Sequence, residues 1–295
     1  MLSIEKFLDY LQYERGNSLL TIENYGQDLK DFEKFYKTID AKLTWAFIDT
    51  DIVRAWVEEM MDRGNAPSSV NRRLSALRSF YKYGLKRNLV DHDPVYKIQG
   101  PKRVKPLPQF LKESEINQLL DKETLEKSYE DWFAKIIILT LYSTGIRLSE
   151  LVGLNDKDVD FLNCELKVTG KRNKQRIIPF GEELKNELIA YQRKRDSEIK
   201  TKESSALFLT KKGQRVKSGN VREIVKKQLS SVSTLKKKTP HVLRHTFATV
   251  MLNHKAGLES VKKLLGHENL ATTEIYTHTT FEQLREIYKD AHPRA

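Results

Sequence analysis

A single cysteine, Cys164, stands in 295 residues. It excludes an intramolecular disulfide and a thiolate zinc cluster, and it suits a reducing compartment. Cys164 itself reads as a small strand residue. No run comes near the roughly 18 apolar residues of a membrane span. The opening Met1-Leu-Ser-Ile-Glu-Lys6 is not a signal peptide. There is no glycine-rich nucleotide loop and no carboxylate cluster. Internal repeats and low-complexity tracts are also absent. Acid is missing locally: Ser68 to Val90 holds Arg72, Arg73, Arg78, Lys82, Lys86 and Arg87 and no Asp or Glu.

What is present is enough to fold. Hydrophobic residues at 39% and aromatics at 9% fit a globular chain whose length suits two domains. The net charge of +12 points to a polyanionic partner, most commonly nucleic acid. The charge is uneven: residues 1–100 carry 15 basic and 15 acidic side chains, so the whole excess lies beyond them.

The first hundred residues read as four short helices in a small bundle. Ser3 caps a run with Ile4, Phe7, Leu8 and Leu11 on one face, ended by Gly16. A second helix starts near Ser18 or Thr21, a third follows Asp49-Thr-Asp51 and closes at Gly64, and a fourth opens at Pro67-Ser68. Gly100-Pro-Lys-Arg-Val-Lys-Pro-Leu-Pro108 cannot continue a helix and reads as a linker. The expected division is therefore 1–99, a linker at 100–108, and 109–295.

The second part is mixed. A helix near Glu113–Leu120 precedes an apolar one, Trp132–Tyr142, that should form a buried spine ending at Gly145. Short alternating runs at Val159–Phe161, Glu165–Val168 and Gln175–Pro179 predict a small antiparallel sheet. Gly170-Lys171-Arg172-Asn173-Lys174 supplies the turn between the last two. Helices are expected around Glu182–Arg193, Ser218–Leu229, Pro240–Leu252, Leu258–Leu264 and Phe281–Tyr288. The fold class is mainly α with one small antiparallel β-sheet.

Six of the seven histidines fall in the last fifty-five residues. Thr239-Pro-His241-Val-Leu-Arg244-His245-Thr-Phe-Ala-Thr249 starts a helix, with His241 and Arg244 three apart on one face, near N–H groups that favour an anion. A zinc pair at His241 and His245 is disfavoured by the intervening Arg244 and by the lack of a Glu after His241. His245 reads as a packed or capping residue. His267 follows Leu264-Leu-Gly, and Tyr276 comes nine residues later. Arg147 sits at a helix junction in Ser143-Thr-Gly145-Ile-Arg147-Leu-Ser-Glu150. Arginine grips phosphate as a planar fork, histidine moves protons, and tyrosine can be a covalent nucleophile. Taken singly, each has a plain structural reading: a glutamate-paired Arg147, a solvated Lys171, a loop His267, a packed Tyr276.

In this order and spacing the motifs resemble the tyrosine recombinases, most closely the bacterial Xer recombinases. The resemblance covers nearly the whole chain, through His292-Pro-Arg-Ala295. Arg172 departs from it, standing where the Xer turn has a second glycine. The resemblance implies a two-domain DNA clamp: a helical SAM-like core-binding domain, the linker, and a catalytic domain ending in an exchange helix at 281–292. It implies a catalytic set of Arg147, Lys171, His241, Arg244, His267 and Tyr276, with Tyr276 as nucleophile. DNA contacts are expected from Arg72, Arg73, Arg78, Lys82, Arg172 and Lys174. The implied activity is site-specific strand exchange through a 3′-phosphotyrosine and a Holliday junction, without cofactor, in chromosome dimer resolution. The alternatives are an integrase of a phage or mobile element, and a DNA-binding regulator without catalysis. The implied partners are duplex DNA with paired half-sites, three further protomers in a tetramer on two duplexes, a paralogous Xer recombinase and a septal DNA translocase. The implied place is the cytoplasm, on the nucleoid, with no membrane partner.

Overall fold

The computed structural model describes residues 1–102, 109–121, 128–170, 173–266 and 281–295. The chain divides into two compact units, Met1–Pro106 and Leu107–Ala295.

In the first unit, α1 (Ile4–Asp9) runs on through one turn of π-helix at Tyr10–Glu14, followed by α2 (Leu19–Ile39), α3 (Thr50–Asp62) and α4 (Pro67–Lys86). The starts are those the sequence signals. Ser3 accepts from the Lys6 amide, Ser18 from Thr21 and Asp49 from Ile52, each satisfying an otherwise unpaired first-turn N–H. Pro67 opens α4. α2 is 21 residues long and its apolar face continues past Phe32 to the buried Tyr36, which needs that length to be covered; α4, at 20 residues, has the length the sequence predicts. A short 3₁₀ turn, Trp45–Phe47, lies between α2 and α3 and has no side-chain cap bond. It places Trp45 4.6 Å from Phe80 in an aromatic core with Phe32 and Trp56. The linker's first residues belong to this unit: the Pro101 carbonyl accepts from the Asn71 amide at 2.8 Å.

The second unit is built on α6 (Tyr129–Thr144). Every residue of α6 from Ile136 to Thr144 is buried. Each large apolar side chain buried this way contributes about 1.5–3 kcal/mol, so the helix is the spine of the unit. Gly145 ends it with φ +59°, and a side chain there would reach 2.6 Å from Phe247. Around α6 lie α5 (Glu113–Leu120), α7 (Leu148–Gly153), α8 (Glu182–Glu198), α9 (Ser218–Ser230), α10 (Pro240–Asn253), α11 (Leu258–Leu265) and α12 (Phe281–Ala291).

Strands β1 (Val159–Asp160), β2 (Glu165–Thr169) and β3 (Gln175–Pro179) form one antiparallel sheet in the order β1-β2-β3. Val168 pairs with Arg176 and Leu166 with Ile178. β1 stops one residue early because the Asp160 carboxylate takes the Leu162 and Asn163 amides at 3.0 Å and starts a turn. Cys164 ends that turn at φ +54°, not in a strand. No helix among the described residues is long and apolar enough to cross a membrane.

The apolar face of α12 is partly covered within the chain, with Phe281, Leu284 and Ile287 left half-buried. Tyr288 and Ala291 are buried in a cluster with Phe247, Met251, Leu264 and Leu265. Beyond it, the buried His292 ring stacks on Tyr288 at 5.1 Å and lies against Tyr142 and Phe247. Arg294 ion-pairs with Asp121 at 2.6 Å and with Glu183.

Candidate active site

The site is organised by where α11 stops. Gly266 takes φ +64° and closes the helix, leaving its last carbonyls without intrahelical donors. Three consecutive carbonyls are each met by a different arginine. Arg176 Nε donates to Leu264 at 3.0 Å, Arg244 to Leu265 at 2.6 Å and Arg147 to Gly266 at 2.8 Å. Arg244 also donates to the Gly145 carbonyl at 2.6 Å, tying α10 to the end of α6.

A buried carboxylate completes the cluster. Glu150, the third residue of α7, reaches back to accept from the Arg147 amide at 2.7 Å and from its guanidinium at 3.0 Å. Arg176 adds two hydrogen bonds at 2.7 and 3.0 Å. Burial opposes charge on Glu150, but the hydrogen bonds from Arg176 and Arg147 outweigh it and hold the carboxyl below its usual pKa. Arg244 is buried, and burial followed by the nearby Arg147 charge lowers its pKa to about 10. It is still a cation at neutral pH. Arg147 keeps 32% of its side chain exposed, so it presents a fixed guanidinium to solvent.

Arg147, Lys174, Arg176 and Lys263 line a cavity of about 440 Å³, floored by Gly170 and Gly266. This is an anion site by composition. A larger cavity of about 690 Å³ between α6 and α9 contains none of the expected site residues. His241 is the second residue of α10 and is exposed. Partial desolvation, then the charges of His245, Arg244, Arg147 and Arg222, push its pKa down, favouring a neutral imidazole that can accept a proton. His245, expected to be packed or capping, is exposed, because the α10 face it shares with His241 turns away from the core. Thr239 has the backbone of an N-cap but makes no side-chain cap bond.

Lys171, Arg172, His267 and Tyr276 lie outside the described residues. In the first unit, Arg72 and Arg73 ion-pair with the buried Asp28, and Arg73 also faces Asp31 at 3.8 Å. Arg78 donates to the Ile98 carbonyl at 2.5 Å, and Lys82 is exposed.

Comparison with known proteins decides what this cluster belongs to. Residues 109–283 match the phage integrase family, and residues 4–88 match the phage integrase N-terminal SAM-like domain. The chain belongs to the phage integrase family, the tyrosine recombinases. It is 36% identical to "Tyrosine recombinase XerC" of Chlorobaculum tepidum, over 98% of this chain and 94% of that protein. It is 34% identical to "Tyrosine recombinase XerD" of Oceanobacillus iheyensis, over 99% of both. Its fold resembles the XerH site-specific recombinase bound to a palindromic difH substrate in a post-cleavage complex. The TM-score is 0.71 at 22% identity, covering 96% of this chain and 83% of that one.

For a recombinase of this family, sequence reading passed over two residues at the heart of the cluster. Glu150 was visible only inside a motif, although Arg147-x-x-Glu150 has the spacing of a reciprocal helix cap. Arg176 had a readable signal: strand alternation puts it on the same face as the buried Ile178, so it is a charge on the inward side of a sheet.

Proposed function

We propose that this chain is a site-specific DNA recombinase of the Xer type, acting in chromosome dimer resolution. The observation that carries the reading is the pair Arg147 and Arg244, both anchored at the end of α11 beside a basic cavity. The curated relatives named XerC and XerD, matched over nearly their whole length, favour this over an integrase of a mobile element.

In the proposed reaction, the Tyr276 oxygen bonds to the scissile phosphorus and the bond from phosphorus to the 5′-oxygen breaks. Arg147 and Arg244 hold the non-bridging oxygens and oppose the growing charge, an effect worth about 3–4 kcal/mol per donor. A tyrosine hydroxyl with a pKa of about 10 needs a base. His241 takes that proton, its lowered pKa leaving it neutral and able to do so. Lys171 protonates the departing 5′-oxygen, and His267 donates to the phosphate. The 3′-phosphotyrosine conserves the bond energy. A 5′-hydroxyl from the partner duplex then reverses the attack, forming the Holliday junction.

Arg172, Lys174, Arg72, Arg73, Arg78 and Lys82 are assigned to the DNA backbone and grooves. The assembly proposed is four protomers on two duplexes with paired half-sites, joined by exchange of the 281–292 segment, with a paralogous recombinase and a septal translocase as partners. The test is a nicked duplex that traps the cleaved state. Wild type should form an SDS-resistant adduct, and Tyr276→Phe should bind equally and form none. A normal adduct yield from Tyr276→Phe would sink the assignment.

A further inference from the structure

We propose that Arg176 is a positioning residue of the cleavage step: by sharing Glu150 and clamping the Leu264 carbonyl, it leaves Arg147 free to bind the phosphate. The inference rests on the recombinase reading of the same site.

The argument is one of charge and geometry. Glu150 has a fully buried side chain, and Arg147 and Arg176 are its two side-chain partners among the described residues. Arg176 takes both carboxylate oxygens, at 2.7 and 3.0 Å, and uses its remaining Nε on Leu264 at 3.0 Å. All three nitrogens of its fork are engaged within the protein and 17% of the side chain is exposed, against 32% for Arg147, so its main role is to hold the site. Arg147 meets Glu150 through one guanidinium nitrogen, at 3.0 Å, and the Gly266 carbonyl through the other, at 2.8 Å. Among the described residues its Nε–H and one N–H on each terminal nitrogen stay uncommitted, with 32% of the side chain exposed.

Three guanidinium groups and one carboxylate leave two surplus positive charges. A phosphodiester carries one negative charge and gains a second as the pentavalent state forms. Without Arg176, Arg147 becomes the sole side-chain counterion of a buried carboxylate, and a buried charge demands its partner. The Arg147 fork would close on Glu150, and its charge would be cancelled rather than offered to DNA. The Arg176 guanidinium also lies 3.1 Å from where a Cβ on Gly266 would stand, so it sets the level at which the chain leaves α11. A misplacement of about 1 Å at a reacting centre can cost on the order of 100-fold in rate.

The experiment compares two nicked duplexes carrying a cleavage site mapped with the wild-type protein. One has a normal scissile phosphate; the other has a neutral methylphosphonate, which asks less of the arginines. Arg176→Met should bind the duplex within about 3-fold of wild type and form adduct about 100-fold more slowly on phosphate. On methylphosphonate the deficit should shrink to less than about 10-fold, because Arg147 has less charge to oppose. A second substitution, Glu150→Gln, should restore part of the rate by releasing Arg147. If Arg176→Met does not fold, Arg176→Lys carries the same comparison, since lysine keeps the charge but cannot bridge both oxygens and the carbonyl. Equal deficits on the two substrates would mean a merely structural role and overturn the proposal, as would an undiminished rate. If wild type forms no adduct on either duplex, the recombinase reading fails instead.

Discussion

Each unit buries one carboxylate between two arginines, and the two behave in opposite ways. Asp28 is 2% exposed in the first unit, and its pKa is raised because burial outweighs Arg72 and Arg73. Glu150 is equally buried in the second, and its pKa is lowered. The difference is hydrogen bonding. Glu150 receives four bonds of 2.7–3.0 Å from groups held on both sides. Asp28 has Arg73 only at ion-pair distance, 3.7 Å, and the Arg73 Nε–H has no hydrogen-bond partner. Arg72 gives Asp28 a single side-chain hydrogen bond and keeps 43% of its side chain exposed. Arginines held loosely can exchange a carboxylate for a DNA phosphate, whereas arginines held on every side form a rigid, preorganised site. The first arrangement suits a surface that must find DNA. The second suits one that must stabilise a transition state.

The contrast is sharpest in stability. Glu150→Gln should cost about 3–5 kcal/mol in urea unfolding, since it strips buried guanidinium groups of their counterion. Asp28→Asn should cost less than about half as much, because burial already opposes the carboxylate's charge there and Arg72 is free to turn to solvent. Equal losses would erase the distinction. Next comes the rate of adduct formation: Arg244→Gln should lower it by about 10²–10³-fold, or about 3–4 kcal/mol, with DNA affinity changed far less.

The third effect depends on pH. Burial pushes the His292 pKa down to about 4. The native ring refuses a proton that the unfolded chain accepts near pH ~6.5, so stability should fall as pH drops from ~6.5 towards 4 and level off below it. Wild type should lose about 3 kcal/mol across that window and His292→Gln should lose little of it. Parallel profiles would show that His292 is not the group responsible. The smallest effect belongs to the first unit. Arg72→Ala should weaken duplex binding by about 0.5–1 kcal/mol and reduce the salt slope by about one charge. No change in slope would place Arg72 wholly within the Asp28 pair.

Most of the architecture was legible because it is written locally. The α5 bounds, the cap residues Ser3, Ser18 and Asp49, and the stop at Gly145 follow from hydrogen-bond needs within a few residues. The arginines of the site were legible as motifs, but what holds them was not. Arg176 and Glu150 are 26 residues apart, and Arg147 and Gly266 are 119 apart, so their meeting is tertiary. Cys164 misled because a left-handed turn position has no strong signal when it is not glycine. Packing of α12 within the chain could not be read either, since an apolar stripe states that it needs cover, not whose.

The rigid site exists, on this view, to serve one tyrosine. The most direct measurement is mass spectrometry of the nuclease-trimmed covalent complex that wild-type protein forms with a nicked duplex. The expected result is a nucleotide 3′-phosphate on Tyr276 alone. Attachment to any other residue, or strand exchange without an attached nucleotide, would contradict it.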